Sequence, residues 1–361
     1  MPKIYNSDLI GKKLSVADEI LLLNPHQTPL LNLLGFADPV TQVEHSWYED
    51  ELFGDESTVS GAVTNSSTAV VVTDVEPFRV NQVVKIGEEL LLVTAVNVGS
   101  KTLTVTRGYA GTIAAAIVDQ AKIEVQFVEG QEGRDARDAR NKPRARKANL
   151  TQIFDDTIDI SGTAAAVEQY GIENAYEYEK QKKQLELALQ LEKALIGGIK
   201  YENGNVRQMA GIRSLITSNV NTAGSQPLTE TMINDLAQKI FEKGGFSDGG
   251  DFVIMVPAKQ KRAISSFGEK KLDRQDNGRG SVADYFISDF GQFEIVLNNN
   301  LQSDELYILD KNRTKVRPLN NREFFHKYLG EVGDSTKGMV LGEYTLEFKQ
   351  EKAHGRLKGL S

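Results

Sequence analysis

The chain contains no cysteine among its 361 residues, which excludes disulfide frameworks, thiolate nucleophiles and thiolate metal sites together. It also leaves the compartment open, because no part of its stability depends on redox state. Histidine is scarce: His26, His45, His326 and His354 are scattered, and none stands at metal-ligand spacing from another. There is no HExxH and no GxSxG. The glycine-rich "GGFSDGGD" of residues 244–251 precedes a strand instead of following one, and lacks both the GxGxxG pattern and a Walker lysine, so it reads as a turn. "DKNRTK", residues 310–315, lacks the glycine and final glutamate of a calcium loop. Carboxylate pairs such as Asp155–Asp156 are plentiful, but nothing singles one out. No catalytic, cofactor-binding or metal site is therefore expected, and the chain does not read as an enzyme.

Long apolar runs are missing as well. No window reaches membrane-spanning length without charge, and the start "MPKIYNSDLIGKKLSVADEILLLNPHQTPLLNLLG" lacks the apolar core and small-residue cleavage site of a signal peptide. A soluble intracellular protein, or part of a particle assembled there, is the expectation, with no membrane partner.

What remains is ordinary soluble composition, 40% hydrophobic and 25% charged, with a formal net charge of -8. The length suits two or three domains. The acidic balance disfavours a protein that coats DNA as a whole, although one basic patch remains compatible with it.

Along the chain, residues 1–41 read as an arm. Pro25, Pro29 and Pro39 interrupt it, and "EILLLN" and "LLNLLGF" are too short to form a core alone. Leucines there, Leu30, Leu31 and Leu34 among them, need a surface in their own chain or a neighbour. "VEHSWYEDEL" reads as a strand. Residues 64–128 are almost pure strand signal, about five short strands rich in valine, leucine and threonine, and describe a small all-β barrel inserted between extended limbs. Residues 162–196 read as one helix of about 30 residues, roughly 45–50 Å long, with a modest stripe through Val167, Tyr170, Tyr178, Leu185, Leu189 and Ile196. Thr229 is a candidate N-cap for "ETMINDLAQKIFE", and "FVIMV" is a buried strand leading through Pro257 into another helix. "KGMVLGEYTLEFKQEKAHGRLKGL" reads as one long alternating strand, Tyr344, Leu346 and Phe348 facing one way and Thr345, Glu347 and Lys349 the other.

One stretch runs against the acidic balance. "EGQEGRDARDARNKPRARKANLTQIF", residues 129–154, carries Arg134, Arg137, Arg140, Lys142, Arg144, Arg146 and Lys147. Three readings stand beside each other: a grip on the acidic face of an identical neighbour, a contact with DNA, and a solvated charge run. The absence of aromatic residues within the arginine run speaks against nucleic-acid binding as the main function.

The order of parts resembles the major capsid proteins of tailed bacteriophages, an α+β Hong Kong 97-like fold. The likeness is clearest in "FVIMVPAKQKRAISSF", "YFISDFGQFEIVLNNNLQSDELYILD" and "LGEYTLEFKQEKAHGRLKGL". The resemblance implies an N-terminal arm (1–41), an extended E-loop leaving over 42–63 and returning over 129–154, and an inserted β-domain (64–128). It further implies a peripheral domain with a spine helix (155–210), an axial domain (211–318) and peripheral C-terminal strands (319–361). It implies self-assembly as pentamers and hexamers into an icosahedral shell around the phage genome, in a virion assembled in the host cytoplasm. Expected partners are identical subunits, a separate scaffolding protein (the short start suggests this), portal and decoration proteins, and packaged double-stranded DNA bound without sequence specificity. Under this reading Arg134, Arg137, Arg140, Arg144, Arg146, Lys147, Trp47, Leu30, Leu31 and Leu34 are candidate contacts between subunits. The alternatives are another virion protein of the tail or decoration type, and an enzyme with an accessory β-domain.

Overall fold

The computed structural model describes residues 28–133, 135–167, 174–246, 250–267, 272–276 and 282–361. The chain divides into two compact units, one running to Trp47 and resuming at Arg146–Ser361, the other comprising Tyr48–Ala145.

The first unit begins with the short helix α1 (Pro29–Leu34), with proline in its first turn, where a missing N–H costs nothing. The strand β1 (Glu44–Glu49) then leads out.

The second unit is a β-module. Its strands β2 (Glu56–Thr58), β3 (Ala69–Val71), β4 (Gln82–Ile86), β5 (Glu89–Asn97), β6 (Thr102–Thr106) and β7 (Lys122–Val128) form one sheet in the order β2-β7-β4-β5-β6-β3. Its two edges meet at the Val59–Val72 bridge, where Ser60 N donates to Val71 O and Thr73 N to Thr58 O, both at 2.8 Å. A sheet closed this way has no free edge. The inward positions Val59, Val70, Val84, Leu91, Val93, Leu103 and Ile123 form its own core. The module thus has six strands, not about five, and begins before residue 64: β2 lies in "GDESTVSG", which carries little strand propensity but supplies the closing edge.

The chain re-enters the first unit through β8 (Ala145–Leu150), paired with β1. Next come β9 (Gln152–Ser161), α2 (Gly162–Ala166) and α3 (Ala175–Gly197). The single long helix expected from sequence is therefore two helices. Val167 is already extended, and α3 starts afresh at Asn174, whose side chain accepts from Tyr176 N and Glu177 N. Its 23 residues span about 35 Å. Of the predicted stripe Ile196 is buried and Tyr170 lies outside the described residues, but the rest of the buried face is different. Leu187, Leu191, Leu195 and Ile196 are buried, whereas Leu185 and Leu189 are only half-buried and Val167 is exposed. Polar residues on every other face made two stripes of similar strength, and tertiary packing chose one.

After α3 follow the hairpin β10 (Tyr201–Asn203) and β11 (Val206–Gln208), then α4 (Ile212–Leu215), β12 (Val220–Gln226), α5 (Glu230–Glu242), β13 (Phe252–Val256) and α6 (Ala258–Ser265). The remaining strands are β14 (Leu272–Asp276), β15 (Val282–Ser288), β16 (Gly291–Leu297), β17 (Leu306–Asp310), β18 (Thr314–Pro318), β19 (Phe325–Glu331), β20 (Ser335–Phe348) and β21 (Gly355–Leu360). The predicted Thr229 cap is in place, accepting from Met232 N, and Pro257 precedes α6.

Two sheets organise this unit. One is antiparallel: β20 pairs with β18, β19 and β9, the β9 register running from Ser335↔Ser161 to Tyr344↔Gln152. The other has seven strands in the order β12-β21-β17-β13-β16-β15-β14, with parallel pairs at β12/β21 and β13/β16. Strand β13 separates two cores. Val253 and Met255 pack with Leu187, Leu191, Leu195 and Tyr307, while Phe252, Ile254 and Val256 pack with Ile233, Leu236 and Ile240 of α5. A strand covered on both faces reads as an unbroken apolar run, which is why "FVIMV" was legible.

The chain's ending departs from expectation. It is two strands: Gln350 takes a left-handed conformation (φ 50°), a short turn follows, and β21 joins the seven-stranded sheet. Conversely β18 leaves the 211–318 region to join β20. Each region thus lends one strand to the other's sheet.

Candidate assembly surfaces

The basic return segment is largely answered within its own chain. In the second unit, Arg137 donates to Glu129 O at 2.5 Å. Arg140 lies over the Phe53 ring, 3.8 Å from its centroid, and donates to Pro77 O. Burial pushes its guanidinium down from its ordinary value, with Arg79 adding to the effect. Lys142 stands 3.6 Å from Glu76 and 3.8 Å from Glu51, and Arg144 is 3.2 Å from Asp50. In the first unit, Arg146 is 3.3 Å from Glu44. The outgoing "EHSWYEDEL" thus supplies carboxylates to the returning arginines. The sequence alone leaves a neighbour, DNA and water as partners; the structure adds this opposing limb. The Arg144 and Arg146 pairs remain largely open to solvent, and Lys147 is exposed. Arg134 lies outside the described residues.

Three other candidates have a different setting from the one expected. Leu30, Leu31 and Trp47 are buried in the chain's own core with Phe154, Leu187 and Tyr344, and Leu34 packs against that core half-exposed. The reason is local: Glu192 of α3 accepts the N–H groups of Leu30 and Leu31, seating α1 against the chain's own helix. In this conformation those side chains offer a neighbour little surface.

The second face of β20 holds what the sequence concealed. Thr345 and Glu347 do point away from Tyr344, Leu346 and Phe348, but the returning limb covers them. Thr345 Oγ1 donates to Leu150 O, and Asn149 Nδ2 to Leu346 O. Glu347 meets His45 and Arg317 at 2.6 Å each and Lys349 at 2.8 Å. Burial opposes its ionisation, but hydrogen bonds from His45, Lys349 and Arg317 outweigh that and hold the carboxyl well below the usual range. Glu343 accepts from Thr151 at 2.6 Å and pairs with Arg207 and Arg322. Glu305 pairs with Arg213 at 3.1 Å and with Arg356 at 2.5 Å. Each carboxylate is buried, paired and hydrogen-bonded, which is the structural use of such groups. Alternating charge with apolar residues is the only sequence signal for them, and it reads equally well as a wet face.

Surface left uncovered includes the β10–β11 hairpin. All of β10 is exposed, and Ile199, Tyr201 and Val206 present apolar surface. Its base is fixed: Gly211 N donates to Gly198 O at 2.9 Å, and a Cβ on Gly198 would lie 2.5 Å from Ala194 O. Among the described residues no group of histidine and carboxylate side chains is arranged to hold a metal ion, and no helix is long and apolar enough to cross a membrane.

Comparison with solved structures finds this architecture in shells. The chain is similar to the capsid of a native GTA particle computed with C5 symmetry, at 8% identity, 99% of this chain and 98% of that one, TM-score 0.52. It is similar to Mycobacterium phage Adephagia at 10% identity, 100% and 99% coverage and TM-score 0.51. The cyanophage A-1(L) capsid asymmetric unit gives 9% identity, 98% coverage of both chains and TM-score 0.51. At such identities the likeness is one of fold, and that fold is the Hong Kong 97-like capsid fold, α+β with a curled antiparallel sheet. No curated protein matches by sequence. The family model described as SU10 major capsid protein, however, matches residues 3–361, and the chain belongs to that family of major capsid proteins.

Proposed function

We propose that the chain is a structural, non-catalytic subunit that self-assembles as pentamers and hexamers into an icosahedral shell enclosing a phage genome. The observation that carries this reading is the extent of the family match, residues 3–361. In this reading the residues before β1 are the N-terminal arm. The excursion between β1 and β8 is the E-loop with its inserted barrel, and α3 is the spine of the peripheral domain. The seven-stranded sheet with α5 and α6 is the axial domain.

The contacts between subunits then fall on surfaces that the chain's own fold leaves open to solvent. Arg144, Arg146 and Lys147 present charge there, with the half-exposed Leu34 as an apolar candidate; Arg134, outside the described residues, stays a candidate from sequence alone. An isolated two-stranded hairpin is marginal in water, so the β10–β11 hairpin with Tyr201 and Val206 is the apolar counterpart. Arg137 and Arg140, tied to backbone carbonyls of their own unit, serve to shape the limb. Packaged double-stranded DNA lies inside without sequence-specific contact. A separate scaffolding protein, a portal and decoration proteins complete the partners, assembly taking place in the host cytoplasm and the product being the virion capsid. Sedimentation of the purified protein tests the reading: fast-sedimenting particles of narrow size support it, and a stable monomer at high concentration speaks against it.

A further inference from the structure

Six buried carboxylates are found among the described residues, and five have a cationic partner: Glu89, Glu305, Asp310, Glu343 and Glu347. Glu192 has none. It is fully buried on α3, where Oε1 accepts Leu30 N–H at 2.9 Å and Asn298 Nδ2 at 2.7 Å, and Oε2 accepts Leu31 N–H at 2.9 Å. The Asn298 amide is oriented independently, since its Oδ1 accepts Asn300 N–H at 2.8 Å. Thr28 gives α1 no side-chain cap, so this carboxylate, from 162 positions away, is the cap. Beyond α1 the chain is held separately, by the Phe36–Val316 and Val40–Leu319 bridges.

We propose that Glu192 is a proton-operated latch, seating α1 on the body of the chain more firmly when protonated and less firmly when charged. A helix of six residues has almost no stability of its own, so its attachment rests on Leu30, Leu31 and this group. With α1 seated, a charged Glu192 lies in an apolar surround with three donors and no counter-ion. With α1 lifted away, it is hydrated. Proton uptake removes the uncompensated buried charge, so it favours the seated state. Among the described residues, the groups that face the carboxylate are the two backbone amides, the Asn298 amide, Met255 Sδ beside that amide, and the leucines of the core. Among the described residues none of them titrates, so there the pH response belongs to Glu192. Burial pushes its carboxyl above the ordinary value, against the three hydrogen bonds. Seating is therefore complete below the ordinary carboxylate range and weakens as pH rises through the raised value.

Hydrogen–deuterium exchange on the full chain, corrected for intrinsic exchange, tests this with Leu191 as the internal reference. In the wild type, protection at Leu30 and Leu31 should fall several-fold between about pH 5 and pH 8, with Leu191 unchanged. In Glu192→Gln, uncharged throughout, the fall should vanish. In Asn298→Ala, which leaves α1 and Glu192 intact but removes a donor to the anion, the midpoint should move to higher pH. Protection at Leu30 and Leu31 that tracks Leu191 across the range overturns the proposal. So does a fall that persists in Glu192→Gln, or a midpoint that moves downward in Asn298→Ala.

Discussion

His354, just before β21, is joined to Asp310 at the end of β17: the backbone N–H of Asp310 donates to His354 Nδ1 at 3.1 Å, while His354 Nε2 faces Lys349 O at 3.2 Å. The ring also lies against Phe348, centroids 4.1 Å apart. These partners fix the imidazole as neutral, with its proton on Nε2.

Burial pushes the His354 ring down to about 3, with Arg313 adding to the effect against the hydrogen bond to Lys349 O. Between that value and the unfolded value of about 6.5 the unfolded chain binds a proton that the folded chain does not. This contribution is complete above the unfolded value and is lost as pH falls through the window, at up to about 1.4 kcal/mol per pH unit. Urea unfolding at about pH 4 and pH 6 should therefore show a smaller stability difference in His354→Leu than in wild type. An equal difference contradicts the assignment.

Glu347 titrates to the same end by another route. Its folded value is depressed, so its contribution is present above the ordinary carboxylate range and lost in acid. Glu347→Ala leaves Arg317 and His45 facing a cavity and should destabilise the first unit by about 3–5 kcal/mol. Chemical denaturation followed by the Trp47 fluorescence reads this directly; a change within about 0.5 kcal/mol, normal for a surface substitution, refutes it.

The cap on α3 makes a smaller prediction. Asn174→Ala removes the acceptor for Tyr176 N and Glu177 N and should cost about 1 kcal/mol. Asn174→Asp should keep most of it. The same unfolding measurement separates the two, and equal loss in both variants is the contrary result.

The barrel should fold on its own core. Replacing residues 56–128 by a short Gly/Ser linker should leave the helical circular-dichroism signal of α3 and α5 intact. Within the barrel, Arg107 binds Glu89 through two bonds of 2.8 Å and ties Thr64, Ser67 and Ala115 carbonyls together. Arg107→Ala should cost that unit about 3–5 kcal/mol. Calorimetry should show a lowered barrel transition beside an unmoved second one; a joint shift of both contradicts independent folding.

Much of this was legible in the sequence, for identifiable reasons. The strands of the barrel, "FVIMV" and the α5 cap are set by local pattern, and local pattern survives in the fold. The buried face of α3 is legible only at Ile196, because Leu185 and Leu187 compete on nearly equal terms until a sheet chooses between them. The two-strand ending turns on Gln350, a residue type with no preference for the left-handed conformation it takes. Glu192, Glu343 and Glu347 were hidden because each has a partner more than a hundred residues away, Leu30 and Leu31, Arg207, and His45 respectively. The opposing limb that meets the arginine run was present in "EHSWYEDEL", but only pairing of β1 with β8 makes it a partner.

Substituting Arg144, Arg146 and Lys147 by glutamine should leave isolated subunits folded and weaken shells, empty as much as filled. Exposed pairs contribute only about 0.2–1 kcal/mol each, but under the proposed assembly a shell would repeat such contacts at every interface. Calorimetry of empty and filled particles distinguishes the readings. Loss of stability in filled particles alone assigns the segment to DNA, and no change in either makes it a solvated face.

Assembly is the central claim, and electron microscopy of the purified, expressed protein tests it most directly. Closed shells of uniform diameter with pentameric and hexameric units are the predicted result. Tubes or small discrete rings would assign the chain to another part of the virion, and monomers that never assemble, even with a scaffolding protein supplied, would contradict the account.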